Sequence, residues 1–494
     1  MKNTVQTNNF GFNFQNSYAQ LDKRFFTPLN PVSVKEPSVV IWNKSLAMQL
    51  GLKFSEGSEN ELAEIFSGNR LPEGSHPLAQ AYTGHQFGHF TMLGDGRAIL
   101  LGEQITPDNA RFDIQLKGSG QTPYSRRGDG RATLYSMLRE YLISEAVNNL
   151  GVPTTRSLAV IATGEDVFRE TTHQGAVLTR VASSHIRVGT FEYVAHMQPG
   201  LISDFTRYAI DRHFPEIAET GNPALELFEK VMQLQIDLVV NWMRIGFIHG
   251  VMNTDNMSIP GETIDYGPCA FINDYHPRKV FSSIDHYGRY AFGNQPSIVQ
   301  WNLACFASTL LSQFDENEET ATEMAKEKLE GFEKQFSSEF VSMMSRKLGI
   351  ENPESGDAEL VEELLELMQQ HKADYTNTFL ALENKNIPCF YDGSNIFEKE
   401  AFSGWLKKWE NRVTQNGFTI QKAREIMKNN NPAFIPRNHL VEEALKTASA
   451  RNDFSSFHKL HKVLSDPYHR PVEVSSYQLP PPGGDGDYQT FCGT

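Results

Sequence analysis

The sequence predicts an α+β protein of two lobes, the first rich in strands and the second helical, followed by a helical extension. Three observations predict it. Short apolar runs of β type crowd residues 80–190, a single helical pattern interrupts them, and helical periodicity takes over beyond about residue 200. The 494 residues allow several such units and a substantial core.

Residues 1–75 read as an irregular N-terminal extension with short helices, one of them near Lys44–Leu52. The strand-rich lobe is assigned to 76–195, with the runs FTML, AILLGEQI, FDIQLK, SLAVIAT and GAVLTRVA. Its helix, from about Ala132 to Leu150, sets Leu134, Leu138, Tyr141, Leu142 and Ala146 at helical spacing, and Gly151 and Pro153 stop it. The helical lobe, 196–345, contains a long and mostly apolar helix over Leu225–Ile245 that belongs in a core. A loop and a small hairpin follow in FIHGVMNTDNMSIPGETIDYGP, with Pro260-Gly261 at the turn. Residues 346–480 read as a helical extension, and 481–494, rich in Pro and Gly, as a flexible tail that carries Cys492. A strand-rich lobe with one key helix, then a helical lobe, is the order of a protein-kinase-like fold.

Composition narrows the partners. Lys plus Arg number 45 against 60 Asp plus Glu, a net charge of −15 that argues against a nucleic-acid partner. The polar start lacks the apolar core of a signal peptide, and no run approaches the roughly 20 apolar residues of a membrane span. Cys269, Cys305, Cys389 and Cys492 are scattered without a CxxC pair, which argues against a zinc site or a disulfide framework. A reducing compartment, the cytoplasm, is expected.

The chemistry begins at FDIQLKGSG, where alternation puts Lys117 on the polar side of a strand. Phosphoryl-handling lobes use one strand lysine against nucleotide phosphates, oriented by a glutamate of the neighbouring helix. Glu140 is the candidate, and Glu145, nearer the apolar stripe, competes. Alone, a strand lysine is usually a solvated residue. Upstream, TMLGDGRAILL reads as a hairpin tipped by Gly94-Asp95-Gly96-Arg97, and SRRGDGRA repeats the tetrapeptide at 128–131 with Asp129 and Gly130. Glycines let backbone amides approach a phosphate, and arginines add charge. Either turn alone is equally a tight β-turn. Arg180 and Arg187 in LTRVASSHIRVG are further phosphate candidates, or members of surface ion pairs.

The most specific constellation is HGVMNTDN followed by IDYG. It follows the kinase pattern His-x-Asp-x-x-x-x-Asn and then Asp-Phe-Gly, in which the Asn and the second Asp hold a metal. His249 and Asn256 match, and Asp265-Tyr266-Gly267 replaces Asp-Phe-Gly. Oxygen ligands of this kind suit Mg²⁺ or Mn²⁺. The loop aspartate that would accept a substrate proton is Val251, which cannot act as a base. Asp255, beside Asn256, offers a carboxylate in a rearranged geometry or simply caps the turn.

Together LKGSGQTPYSRRGDGRATL, SEAVNNLGVPTTRSL, HIRVGTFEY, HGVMNTDNMSI and IDYGPCAF resemble the selenoprotein O (YdiU) family, strongly over about residues 75–310. The resemblance implies a kinase-like site that binds ATP inverted, with the α-phosphate where kinases place the γ-phosphate. It implies AMP transfer to Ser, Thr or Tyr hydroxyls of proteins, the chain itself among the candidates, with pyrophosphate released. Carried across, Lys117 paired with Glu140 holds phosphates, and Gly94, Gly96, Arg97, Asp129, Gly130, Arg180 and Arg187 contact the nucleotide. Asn256 and Asp265 bind Mg²⁺ or Mn²⁺, and Asp255 accepts the proton. The family's C-terminal Cys or selenocysteine corresponds to Cys492, and a regulatory disulfide with Cys269 is a further expectation. The alternatives are UMP transfer from UTP with Mn²⁺, an atypical kinase using Asp255, and a non-catalytic ATP-binding pseudokinase.

Overall fold

The computed structural model describes residues 10–415, 419–486 and 488–491. The strand-rich lobe contains β1 (Phe26–Pro28), β2 (Ser38–Trp42), β3 (Leu78–Gln80), β4 (Thr83–Gln86), β5 (His89–Met92), β6 (Ala98–Ile105), β7 (Arg111–Lys117), β8 (Arg156–Phe168) and β9 (Thr172–Ala182). Seven of them form an antiparallel sheet in the order β1-β3-β6-β7-β9-β8-β2. The first 75 residues, expected as an irregular extension, therefore supply both edge strands.

Strand alternation sorts β7 as the sequence predicts. Ile114 and Leu116 join Phe12, Trp42 and the helices α1 (Lys44–Gln49) and α2 (Glu59–Phe66) in a core on one face of the sheet. Gln115 and Lys117 belong to the other face, covered by α3 (Leu134–Asn149). Register places Arg180 of β9 opposite Gln115, so Lys117 and Arg180 share that face. Thr133 caps α3 by accepting from the Ser136 N–H, and the helix is buried on nearly all sides.

The helical lobe holds α4 (Val188–Met197), α5 (Ile202–His213), α6 (Pro223–Ile245), α7 (Gln295–Phe314) and α8 (Glu318–Lys347). Asn222 caps the start of α6, and Gly246, at φ +73°, ends it in the left-handed conformation that favours glycine. The paired strands β10 (Phe247–Ile248) and β11 (Ala270–Phe271) bracket the loops that carry the metal-ligand candidates. The hairpin expected over MSIPGETI is a turn only. Its limbs bridge elsewhere, Ser258 to Arg187 and Thr263 to Thr154, because each side finds a partner in the strand-rich half.

The extension adds α9 (Asp357–His371), α10 (Tyr375–Glu383), α11 (Glu400–Val413), α12 (Ile420–Asn430), α13 (Asn438–Arg451) and α14 (Ser455–Leu464). One hydrophobic cluster runs from beneath the sheet through the helical lobe into this extension. The boundaries set at 195/196 and 345/346 fall inside α4 and α8, so continuous helices cross both. The tail expected to be flexible is docked in its described part. Thr490 bridges Ser282 and donates to the Pro268 carbonyl at 2.7 Å, Tyr488 donates to Glu442, and Asp485 pairs with Lys279. Among the described residues, no helix is long and apolar enough to cross a membrane.

Candidate functional site

Both lobes contribute to a cleft with a cavity of about 380 Å³. Lys117, at the end of β7, reaches Glu140 at 2.7 Å and Asp265 at 2.6 Å. Arg180 contacts the same two carboxylates, at 2.5 Å and 2.6 Å. Arg187, the residue that precedes α4, contacts Asp265 at 3.0 Å and donates to the Asp255 carbonyl at 2.7 Å. Burial works to raise both carboxyls. The neighbouring cations outweigh it and hold Glu140 below, and Asp265 well below, the ordinary carboxylate range. Glu145, the competing candidate, instead binds Arg156 at 2.7 Å and the Ser157 N–H at 2.9 Å.

His249 is buried, and burial lowers its pKa. Its Nε2 donates to the Ile264 carbonyl at 2.8 Å, and the Val251 N–H approaches Nδ1 at 3.4 Å. One side chain thus ties the loop before Asn256 to the residue before Asp265. Val251 lines the cleft where a kinase has its aspartate. Asp255 lines it too, with Oδ1 buried and accepting no hydrogen bond from any described residue. Burial pushes the Asp255 carboxyl up to about 6, with Arg187 opposing.

The rim is built from the two GDGR turns. The first is not the tip of a hairpin between FTML and AILLGEQI: β5 pairs with β4 in a separate ribbon, and Gly94–Arg97 links that ribbon to the main sheet. A Cβ on Gly94 would lie 2.4 Å from the Tyr124 ring, and one on Gly96 would lie 2.9 Å from the Tyr124 carbonyl. Gly130, at φ +68°, packs against Gly120, where a Cβ would sit 2.1 Å from the carbonyl. Arg97 and Asp129 line the same cleft, and Asp129 pairs with Arg169 at 2.8 Å. Every nucleotide-binding candidate named from the sequence lines this one cleft.

Sequence reasoning missed several supports. Asp95, inside the first GDGR, is buried, accepts from the Gln80 N–H and Gln115, and is pushed by burial up to about 6. Tyr82 lies under the Arg187 guanidinium, 4.6 Å from ring centroid to Cζ. Arg139, beside Glu140, donates to the carbonyls of Gly267 and Cys269 at 3.1 Å and 2.6 Å. The Asp-Gly turn signal hid Asp95, and no local pattern marks Tyr82 or Arg139, whose partners lie far along the chain.

The residues present fit a divalent cation. Asn256 spends Nδ2 on the Val251 carbonyl at 3.0 Å, which leaves its amide oxygen for a cation. That oxygen and the Asp265 carboxylate, both on residues that line the cleft, are hard donors suited to Mg²⁺ or Mn²⁺. Cys269 is fully buried, and burial pushes its thiol up to about 11 against the pull of Arg139. Its expected partner Cys492 lies outside the described residues.

Comparison with known proteins agrees over nearly the whole chain. The family described as "Protein adenylyltransferase SelO" matches residues 9–465. A protein of Nitrosococcus oceani named "Protein nucleotidyltransferase YdiU" is 54% identical over 485 residues, 98% of each chain. Proteins of the same name from Syntrophotalea carbinolica and Geobacillus kaustophilus are each 52% identical, covering 98% of this chain and 98% and 99% of theirs. The chain belongs to the SelO family and is a nucleotidyltransferase.

Proposed function

We propose that the enzyme transfers AMP from ATP to Ser, Thr or Tyr hydroxyls of proteins, itself among the candidate acceptors, and releases pyrophosphate. The observation that carries this reading is the exchange of roles between Val251 and Asp255. The usual loop position holds no base, while the carboxylate four residues on, that of Asp255, lines the cleft and is pushed by burial up to about 6. Asp255 takes the proton of the acceptor hydroxyl, and that oxygen bonds to the α-phosphorus. The bond from the α-phosphorus to the bridging oxygen breaks, and pyrophosphate leaves with the electron pair.

Lys117, Arg180 and Arg187 neutralise phosphate charge, and Glu140 fixes the first two of them. Arg97, with the close-packed glycine turns around Gly94, Gly96, Asp129 and Gly130, forms the rest of the nucleotide cradle. Asn256 and Asp265 hold Mg²⁺ or Mn²⁺, which supplies charge neutralisation on the phosphates when bound. Asp265 gives up part of its contact with the three cations as the nucleotide's phosphates take them over.

The test is Asp255→Asn, which keeps shape and removes basicity. It should bind ATP nearly as well as the wild type and lose transfer by about 10²-fold or more. Transfer close to the wild-type rate would take the role of base away from Asp255. Offering ATP or UTP and weighing the modified protein separates AMP from UMP transfer.

A further inference from the structure

Behind the loop that carries Asp255 lies a cluster which this reaction does not use. His85 on β4, Glu192 on α4 and Cys305 on α7 bring an imidazole nitrogen, a carboxylate oxygen and Sγ within 4.8 Å of one another. The scattered cysteines argued against a zinc site by spacing, but here the ligands come from three elements far apart in the chain. Glu192 is already oriented. One of its oxygens meets His85 Nδ1 at 2.5 Å, and the other accepts from Thr254 Oγ1 at 2.6 Å. Thr254 Oγ1 in turn accepts from the His85 N–H at 2.7 Å. A hydroxyl that fixes a ligand carboxylate in this way is the outer support that metal sites require. The Glu192 side chain is 1% exposed and that of His85 23%, so the cluster opens to solvent on the imidazole side.

We propose that His85, Glu192 and Cys305 form a second cation site, selective for a borderline-soft divalent ion such as Zn²⁺, with water as the fourth ligand. Imidazole, carboxylate and thiolate around one solvent-facing position are a tetrahedral zinc donor set. Hard Mg²⁺ binds thiolate poorly, so the site is distinct in chemistry from the one that serves the nucleotide. On loading, the Cys305 thiol releases its proton to solvent as the S–metal bond forms. The His85 proton moves to Nε2, which frees Nδ1 to ligate. No electrons are transferred. A bound ion fastens β4, α4 and α7 together around Thr254, the neighbour of Asp255.

The experiment adds Co²⁺ to the metal-stripped full chain and follows its absorption. One equivalent should give a thiolate-to-cobalt charge-transfer band that Zn²⁺ displaces and Mg²⁺ does not. Cys305→Ser should lose the band, whereas Asp265→Asn, altered at the other cation site, should keep it. Thr254→Val retains all three ligands but removes the donor to Glu192, and should weaken Co²⁺ binding about 10-fold or more. No band in the wild-type protein at one equivalent, or an unchanged band in Cys305→Ser, overturns the site.

Discussion

Asp265 bears the densest charge in the cleft, with Lys117, Arg180 and Arg187 all on one carboxylate. Its backbone sits at φ +64°, a left-handed conformation unfavourable for a residue with a side chain. Such strain persists only where the surroundings over-determine it, here through the three cations and the His249 link to the preceding carbonyl. The residues that hold this arrangement were largely legible, since strand alternation exposes Lys117 and loop spacing exposes Asn256 and Asp265. Glu140, the candidate on the helix, is the carboxylate that meets Lys117, while Glu145, nearer the apolar stripe, turns to Arg156. Gly130 illustrates a second kind of residue, required by a close backbone approach. Gly130→Ala should cost about 1–3 kcal/mol in thermal or denaturant unfolding and should weaken ATP binding. An alanine variant as stable as the wild type would mean that the 120 and 130 segments separate freely.

At the scale of elements, the extension braces the site from behind. Arg437 forms a buried ion pair with Asp374 at 2.6 Å, and Asp374 also caps α10 by accepting from the Asn377 N–H. Arg437→Met strands that carboxylate and should cost about 3–5 kcal/mol in unfolding experiments. A cost under about 1 kcal/mol would show that solvent reaches the pair. Asn438, at the start of α13, brackets β11 by bonding both the N–H and the carbonyl of Phe271.

Lys347, at the end of α8, is a different case. It is buried with Nζ on the Arg244 carbonyl at 2.9 Å and 4.2 Å from the Phe379 ring centroid, and it has no ion pair among the described residues. Burial, with help from Arg244, pushes its pKa well below the ordinary value of 10.5. Below that value the unfolded chain binds more protons at this position than the folded one, so stability rises with pH. Lys347→Met should therefore melt higher than the wild type at pH 6, by a margin that shrinks at pH 9. Equal margins at both values would contradict a lowered pKa at Lys347. Elements such as β1 and β2 escaped sequence reading for a related reason. Their three and five residues pair with strands far along the chain, so no local period announces them.

Across the whole molecule, the cleft depends on both lobes at once. Lys117, Glu140 and Arg180 come from the strand-rich half and Asp255, Asn256 and Asp265 from the loops of the helical half, and the cations meet the Asp265 carboxylate across that divide. The order of lobes was legible because long periodic segments carry their own signal. The docking of residues 488–491 was not, since Pro- and Gly-rich composition describes the free chain and says nothing of the surface formed by α13 and the Pro268 carbonyl. The proposed reaction of this two-lobed site is at the α-phosphate. It is tested most directly by incubating the chain with Mg²⁺ or Mn²⁺ and ATP labelled at either the α- or the γ-phosphate, with Asp265→Ala run alongside. Protein-bound label is expected from α-labelled ATP alone, and it should be lost in Asp265→Ala. Label from γ-labelled ATP alone would make the protein a kinase and rule out AMP transfer.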